Sequence, residues 1–326
     1  MAIIDLTEDQ LADYDCVREE PADFDAFWAG TLDLVRPVPL DPVFTPYPTA
    51  LAELDVLDVE FAGWNGDRIK GWFLAPRHLP GPLPCVVEFI GYGYGCGRAT
   101  PYQWLTAPAA GFATLVMDNR GQGGSLPADT PDPDPDPARG SSASFLLRGA
   151  DDPDRHYYRR LTTDAVRAVE VARAHPRVDA DRVAVLGGSQ GGGLALAAAG
   201  LTSGLAAVVA QQPFLCHYRR ATQATDSHPY FEITRYLRTN PDRVERTFRT
   251  LSYFDSVNHA ARITAPTLVT VPLMDDVCPP TTTMAAHRHC GAAEKELKVW
   301  PYGNHSGGEM FGPAAAFDFL VKHLAG

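Results

Sequence analysis

The sequence predicts an α/β fold: a mostly parallel, doubly wound sheet with helices on both faces. Three observations carry that expectation. Six short apolar runs read as buried strands: CVVEFI (85 to 90), ATLVMD (113 to 118), RVAVLG (182 to 187), LAAVVAQ (205 to 211), TLVTVP (267 to 272) and LKVWPY (297 to 302). Helix-like stretches separate them, clearest over Leu161 to Ala174 and Gly191 to Ala199, and that alternation is the pattern of crossover connections between parallel strands. A glycine-rich turn at 187 to 191 then joins one of these strands directly to an Ala/Leu-rich helix.

A chain of 326 residues with 45% hydrophobic content can bury one large core, so residues 1–326 read as a single domain with two elaborations. Residues 1 to 36 read as helical entry segments: Leu6-Thr7-Glu8-Asp9 has the form of a capped start, and Phe24, Phe27 and Trp28 recur at helical spacing. From Leu54 to Leu74, VLDVEF and IKGWFL flank the turn Gly63-Trp64-Asn65-Gly66-Asp67, which predicts a hairpin. Leu126 to Asp154 interrupts the rhythm and contains the Pro-Asp tract 131 to 137, read as a solvated loop because its prolines cannot donate ladder hydrogen bonds. A second insert, Cys216 to Ile263, is helical and rich in aromatics, among them Tyr218, Tyr230, Phe231, Tyr236, Phe248 and Tyr253. It is expected to roof the site, with its aromatics forming a pocket suited to the apolar face of a sugar ring.

A formal charge of −12 with no Lys/Arg run argues against a nucleic-acid partner. No stretch of about 18 apolar residues predicts a membrane span, and the acidic start MAIIDLTEDQ has neither the basic nor the apolar segment of a secretory signal, so the expected location is the cytoplasm. Six scattered cysteines (Cys16, Cys85, Cys96, Cys216, Cys278, Cys290) are then expected to be free thiols.

The chemistry centres on Gly187-Gly188-Ser189-Gln190-Gly191, which fits G-x-S-x-G at a strand-to-helix turn, where the nucleophile of an α/β-hydrolase sits and bulky neighbours would collide with the backbone. The competing reading, a phosphate-binding loop, lacks the Lys of a P-loop and a convincing G-x-G-x-x-G spacing. A serine hydroxyl needs a base held in one tautomer by an acid, in the chain order Ser, acid, His. Asp275 and its neighbour Asp276 follow TLVTVP, and His305 follows LKVWPY in a Gly-rich loop; His323 lies in a helical pattern and reads as a surface or packing residue. The developing oxyanion needs backbone donors: Gln190 N–H follows the nucleophile, and Gly91-Tyr92-Gly93 after CVVEFI offers Tyr92 N–H as the second. His287, His289, Cys290 and Cys278 have no metal-binding spacing, so neither a metal nor another cofactor is expected.

These residues resemble the acetylxylan esterase and cephalosporin C deacetylase family of carbohydrate esterases (family 7). The likeness rests on Arg120-Gly121-Gln122, Gly187 to Gly193, Leu273-Met274-Asp275 with Cys278-Pro279-Pro280, and Asn304-His305. It extends to Asp23-Phe24-Asp25 with Phe27-Trp28, Asp226 through Leu237, and Tyr253-Phe254-Asp255. The resemblance implies Ser189 as nucleophile, Asp275 as acid, His305 as base, Tyr92 and Gln190 as oxyanion donors, and Arg120 and Gln122 as supports beside the site. It also implies deacetylation of small acetylated saccharides and cephalosporin-type esters by a homo-oligomer, with a hexamer as the expected form. Two positions depart from the family pattern: Ser306 stands where Glu usually follows the catalytic His, and Ile90 where His usually precedes the Gly-Tyr of the oxyanion loop. The rival readings are a general short-chain carboxylesterase and a non-catalytic binding protein on the same fold.

Overall fold

In the computed structural model, which describes residues 5–93, 98–123, 130–133 and 144–325, the predicted strands pair into one nine-stranded sheet. Its strands are β1 (Val43–Pro46), β2 (Leu54–Ala62), β3 (Arg68–Pro76), β4 (Leu83–Phe89), β5 (Ala113–Met117), β6 (Val178–Gly188), β7 (Ala207–Gln211), β8 (Thr267–Pro272) and β9 (Lys295–Trp300). The order is β1-β2-β3-β5-β4-β6-β7-β8-β9. The first three strands pair antiparallel, as does β3 with β5, and every pairing from β5 through β9 is parallel. β2 and β3 form the expected hairpin, turning through Trp64–Gly66 with Asn65 at φ 55° and Gly66 at φ 81°. The short strand β1 has no counterpart in the sequence reading; two prolines and an exposed pattern hide it.

Helices cover both faces: α1 (Glu8–Ala12), α2 (Phe24–Val35), α3 (Thr106–Ala109), α4 (Tyr157–Ala174), α5 (Gln190–Leu201), α6 (Tyr218–Ala224), α7 (Tyr230–Thr239), α8 (Val244–Ser252), α9 (Ser256–Ala260), α10 (Pro280–His289) and α11 (Phe311–Leu324). Because successive strand residues point to opposite faces, Val87, Val185, Val208 and Val269 meet the core containing α2, α4, α5 and the insert helices, whereas Val86, Ala184, Val209 and Leu268 meet α3 and α11. The capped start is a complete capping box: Thr7 Oγ1 accepts from Gln10 N while the Gln10 side chain accepts from Thr7 N. Trp28 of α2 donates to the Tyr253 carbonyl at 2.9 Å, which docks the N-terminal extension onto the insert.

Two expectations need correction. The Pro-Asp tract is not wholly solvated: the Asp132 side chain is buried and accepts from Arg160 at 2.9 Å, Arg148 at 3.3 Å and Arg120 at 3.4 Å, because three guanidinium groups converge where a carboxylate must neutralise them. Residues 134 to 137 of the tract, like Cys96, lie outside the described residues. In the insert, Tyr218, Tyr230, Phe248 and Tyr253 are buried core rather than a sugar platform, since four short helices need large side chains to pack against one another. The five described cysteines are buried and free.

The largest fully buried charged side chain among the described residues is Arg120, just past β5. Its Nε and Nη2 grip both oxygens of Asp164 of α4 at 2.6 and 2.9 Å, and its Nη1 reaches Asp67 in the hairpin turn at 2.9 Å. Burial opposes a charge on this guanidinium, but Asp164, with Asp67 and Asp132, more than offsets that and holds Arg120 protonated. Replacing Asp164 with Asn would leave the charge poorly compensated. Asp164→Asn should cost about 3–5 kcal/mol in urea-unfolding free energy; a loss below about 1 kcal/mol would show that Asp67 and Asp132 suffice.

His259 of α9 lies edge-on to Phe24 and Trp28, both at 5.0 Å, and is fully buried. Burial and the neighbouring Arg262 push its pKa down to about 3. The folded chain therefore keeps this ring neutral while the unfolded chain protonates it near pH 6.5. Stability from this site is intact above pH 6.5 and declines by up to about 1.4 kcal/mol per pH unit as pH falls from there toward 3. Unfolding free energies at pH 7 and pH 5 should accordingly differ less in His259→Phe than in wild type; equal differences would remove His259 from the acid response.

Candidate active site

The sheet topology selects the place. From β4 the chain turns back to β5 on one side, whereas from β6 it advances to β7 on the other, so the switch point lies between β4 and β6, whose carboxyl ends carry Gly91-Tyr92 and Ser189. Ser189 occupies the turn between β6 and α5 at φ 55°, ψ −123°, a conformation that costs roughly 1–3 kcal/mol for a residue other than glycine. Glycine on either side is a steric requirement. A Cβ on Gly191 would lie 2.0 Å from the Phe89 carbonyl oxygen, and one on Gly187 would lie 2.2 Å from the backbone of Gly191. The turn is further pinned by Ser189 N donating to Gln211 O at 3.0 Å and by Ser189 O accepting from Gly193 N and Phe214 N.

The structure brings the predicted Ser, acid and His together. His305 Nε2 stands 3.0 Å from Ser189 Oγ, and His305 Nδ1 stands 2.9 Å from Asp275 Oδ2 and 3.1 Å from Oδ1. Asp275 is fully buried, and its Oδ1 accepts from Val277 N at 2.9 Å and Cys278 N at 2.8 Å, which holds the carboxylate as an acceptor. Of the two neighbouring acids Asp275 faces the imidazole, whereas Asp276 is exposed and accepts from Ser227 Oγ at 3.3 Å. The three side chains come from the carboxyl ends of β6, β8 and β9, aligned by the parallel register Gly188↔Gln211 and Pro272↔Trp300.

Tyr92 and Gln190 meet in a polar cluster that aims the loop after β4. The Gly91 carbonyl accepts from Gln190 Nε2 and from Asn119 Nδ2, each at 2.9 Å. In a planar trans peptide the N–H points opposite to the C=O, so these two donors turn the Tyr92 N–H the other way. The next peptide is held as well, with Gly93 N donating to Gln122 Oε1 at 2.9 Å. Gln122 Nε2 in turn donates to Gln190 Oε1 at 3.0 Å and to Tyr157 Oη at 2.9 Å, while Tyr158 Oη donates to Gln190 Oε1 at 2.8 Å. The Gln190 N–H sits in the first turn of α5, where no intrahelical carbonyl takes it and the helix dipole favours negative charge.

Of the two expected supports, Gln122 contacts the loop after β4 and Gln190 directly, whereas Arg120 contacts Asp164 and Asp67. Sequence reasoning passed over Asn119, Tyr158 and Gln212. Gln212 Nε2 donates to the His305 carbonyl at 3.0 Å and its Oε1 accepts from Thr270 Oγ1 at 3.2 Å, so it ties the histidine loop to β8. The signals were faint: an amide directly after β7 and an Asn beside Arg120, neither belonging to a catalytic motif. At the two departures from the family pattern, Ile90 is buried against Trp72, Leu74 and Val116, and Ser306 N donates to Asn304 Oδ1 at 2.8 Å in a local turn.

Among the described residues His287, His289, Cys290 and Cys278 do not gather into one ligand set, and His289 Nε2 is engaged with the Cys16 carbonyl at 2.7 Å. The set with metal-like spacing, Asp275, Cys278 and His305, is the acid–base pair itself with a buried thiol beside it. Burial pushes that thiol well above its ordinary pKa.

The likeness to known proteins agrees with this geometry. The acetyl xylan esterase (AXE1) family matches residues 1–323. An acetyl xylan esterase from Paenibacillus sp. R4 is 38% identical, with a TM-score of 0.91 over 98% of this chain and 100% of that one. Acetyl xylan esterase 1 from Thermoanaerobacterium sp. JW/SL YS485 is 32% identical, with a TM-score of 0.89 over 98% and 99%. The acetyl esterase Axe7A of Xylanibacter ruminicola is 30% identical over 291 residues, which is 88% of this chain and 64% of that protein, so this chain spans less than two thirds of that relative's length. With a match that runs from Met1 to residue 323 and a fold shared end to end with two solved members, this chain belongs to the acetyl xylan esterase family.

Proposed function

We propose that this chain is a serine esterase that removes acetyl groups from acetylated xylo-oligosaccharides and related small acetyl esters such as cephalosporin C. The observation that carries the reading is the relay from Ser189 Oγ through the His305 imidazole to Asp275, at 3.0 and 2.9 Å, with the serine raised on its turn. The names of the three relatives support acetyl as the acyl group, and those of the Paenibacillus and Thermoanaerobacterium enzymes support xylan as the acceptor.

Ser189 Oγ attacks the acetyl carbonyl carbon as its proton passes to His305 Nε2, and Asp275 accepts from Nδ1–H and stabilises the imidazolium. The carbonyl oxygen becomes an oxyanion between the N–H groups of Tyr92 and Gln190. When the tetrahedral adduct collapses, the bond to the sugar oxygen breaks and His305 returns the proton to that oxygen, leaving acetyl-Ser189. Water then gives a proton to His305 and its oxygen to the acyl carbon, and collapse releases acetate and restores the serine. The same reading carries a cytoplasmic setting, which the five free thiols suit. It also carries a homo-oligomer, which the exposed apolar side chains of Met310 and Phe311 suit.

Acetate release should be measured from acetylated xylo-oligosaccharides, cephalosporin C and p-nitrophenyl esters of rising chain length. Ser189→Ala should lower kcat by at least about 10³-fold, whereas activity that survives would favour a binding role for the fold. Asp275→Asn should lose roughly 10³-fold or more while Asp276→Asn stays within about twofold of wild type; the reverse order would move the acid to Asp276. Rates on the butyrate ester should fall well below those on the acetate, and equal rates would instead identify a general short-chain carboxylesterase.

A further inference from the structure

Among the described residues, the insert between β7 and β8 meets the loop after β4 through a polar cluster at Tyr92. Tyr92 Oη donates to Glu232 Oε2 on α7 at 2.8 Å and accepts from Phe145 N at 3.2 Å. Ser144 Oγ donates to the same Glu232 oxygen, and His228 Nδ1 stands 3.5 Å from the other. The Tyr92 ring is packed edge-on between Phe145 at 5.7 Å and Phe214 at 5.6 Å, so its phenol reaches the carboxylate along a fixed direction. The phenol lies in a largely buried place beside a carboxylate, and both effects keep it protonated and able to donate.

Tyr92 is therefore anchored three ways. Gln190 and Asn119 hold the peptide before it, Gln122 holds the peptide after it, and Glu232 holds its side chain. The first two anchors belong to the sheet and its helices, and the third belongs to the helical insert. We infer that Glu232 is a positioning residue: by accepting from the Tyr92 phenol it couples the placement of α7 to the aim of the Tyr92 N–H at the oxyanion. Glu232 touches no reacting atom in this role. It makes the oxyanion site complete when the insert is seated, so its effect falls on the tetrahedral adduct and not on substrate capture.

The inference rests on the esterase reading, and the test separates the two. Kinetics on p-nitrophenyl acetate are combined with the affinity for methylboronic acid, a tetrahedral mimic of the acetyl adduct. Glu232→Leu should lower kcat and methylboronate affinity together by about tenfold, with KM within roughly twofold of wild type. Tyr92→Phe keeps the backbone donor but removes the phenol; it should match Glu232→Leu, and the double variant should lose no more than either single one. Glu232→Gln, whose amide oxygen still accepts, should stay within about threefold of wild type. Should Glu232→Leu fail to fold, Tyr92→Phe against Glu232→Gln carries the comparison alone. A rise in KM alone, unchanged boronate affinity, or additive losses in the double variant would overturn the coupling. Ser189→Ala run alongside distinguishes the other failure: acetate release without the serine would overturn the esterase reading itself.

Discussion

A guanidinium removed from water must be answered by carboxylate on every side it can reach, and Arg120 imposes that condition on the whole of one side of the molecule. Its bidentate contact fixes α4 against β5, its third nitrogen fixes the hairpin turn, and Asp132 closes the ring with the help of Arg148 and Arg160. Asp164 is shared further, its Oδ1 also accepting from Trp64 N at 2.8 Å. Arg120 bonds none of Ser189, Asp275 and His305, yet Asn119 before it and Gln122 two residues after it are side chains that grip the loop after β4. The aim of a backbone N–H some distance away thus depends on where a buried charge comes to rest.

The rest of the site follows from the sheet. Parallel register places the ends of β6, β8 and β9 side by side, so a serine, an acid and a histidine far apart in sequence arrive at hydrogen-bonding distance with no special device beyond short loops. The loops are then trimmed by amides: Gln212 on the histidine loop, and Gln122 and Gln190 on the loop after β4. Amide networks of this kind hold a loop without a counter-ion, and here Asn119 Oδ1 is a buried atom left without a hydrogen-bond partner.

Much of this was legible in the sequence because periodicity and turn chemistry are local. The strands at the six apolar runs, the hairpin and the Ser–acid–His order could be read from apolar runs, from Gly63-Trp64-Asn65-Gly66 and from the motif spacing, although the last of the strands, β9, is an edge strand with no buried residue. What escaped was either short or distant. β1 is four residues on the sheet edge, three of them exposed, and Phe44 alone packs toward the core, which leaves no apolar pattern to read. Asp132 looks like one residue of a solvated Pro-Asp tract until folding brings three arginines to it. The aromatics of the insert look like a binding surface because sequence shows their number but not their partners, and Phe214 with Tyr230, or Phe27 with Tyr253, are contacts between residues from different segments. Gln212 and Glu232 make hydrogen bonds across 93 and 140 residues, for which no local pattern exists.

The close approach of Gly191 to the Phe89 carbonyl has a mechanical meaning. Two backbones touch there with no side chain between them, so the span from the Ser189 turn to the loop after β4 works as a fixed gauge block. A change of side-chain rotamer in the surrounding core does not lengthen it, because no side chain stands in the gap.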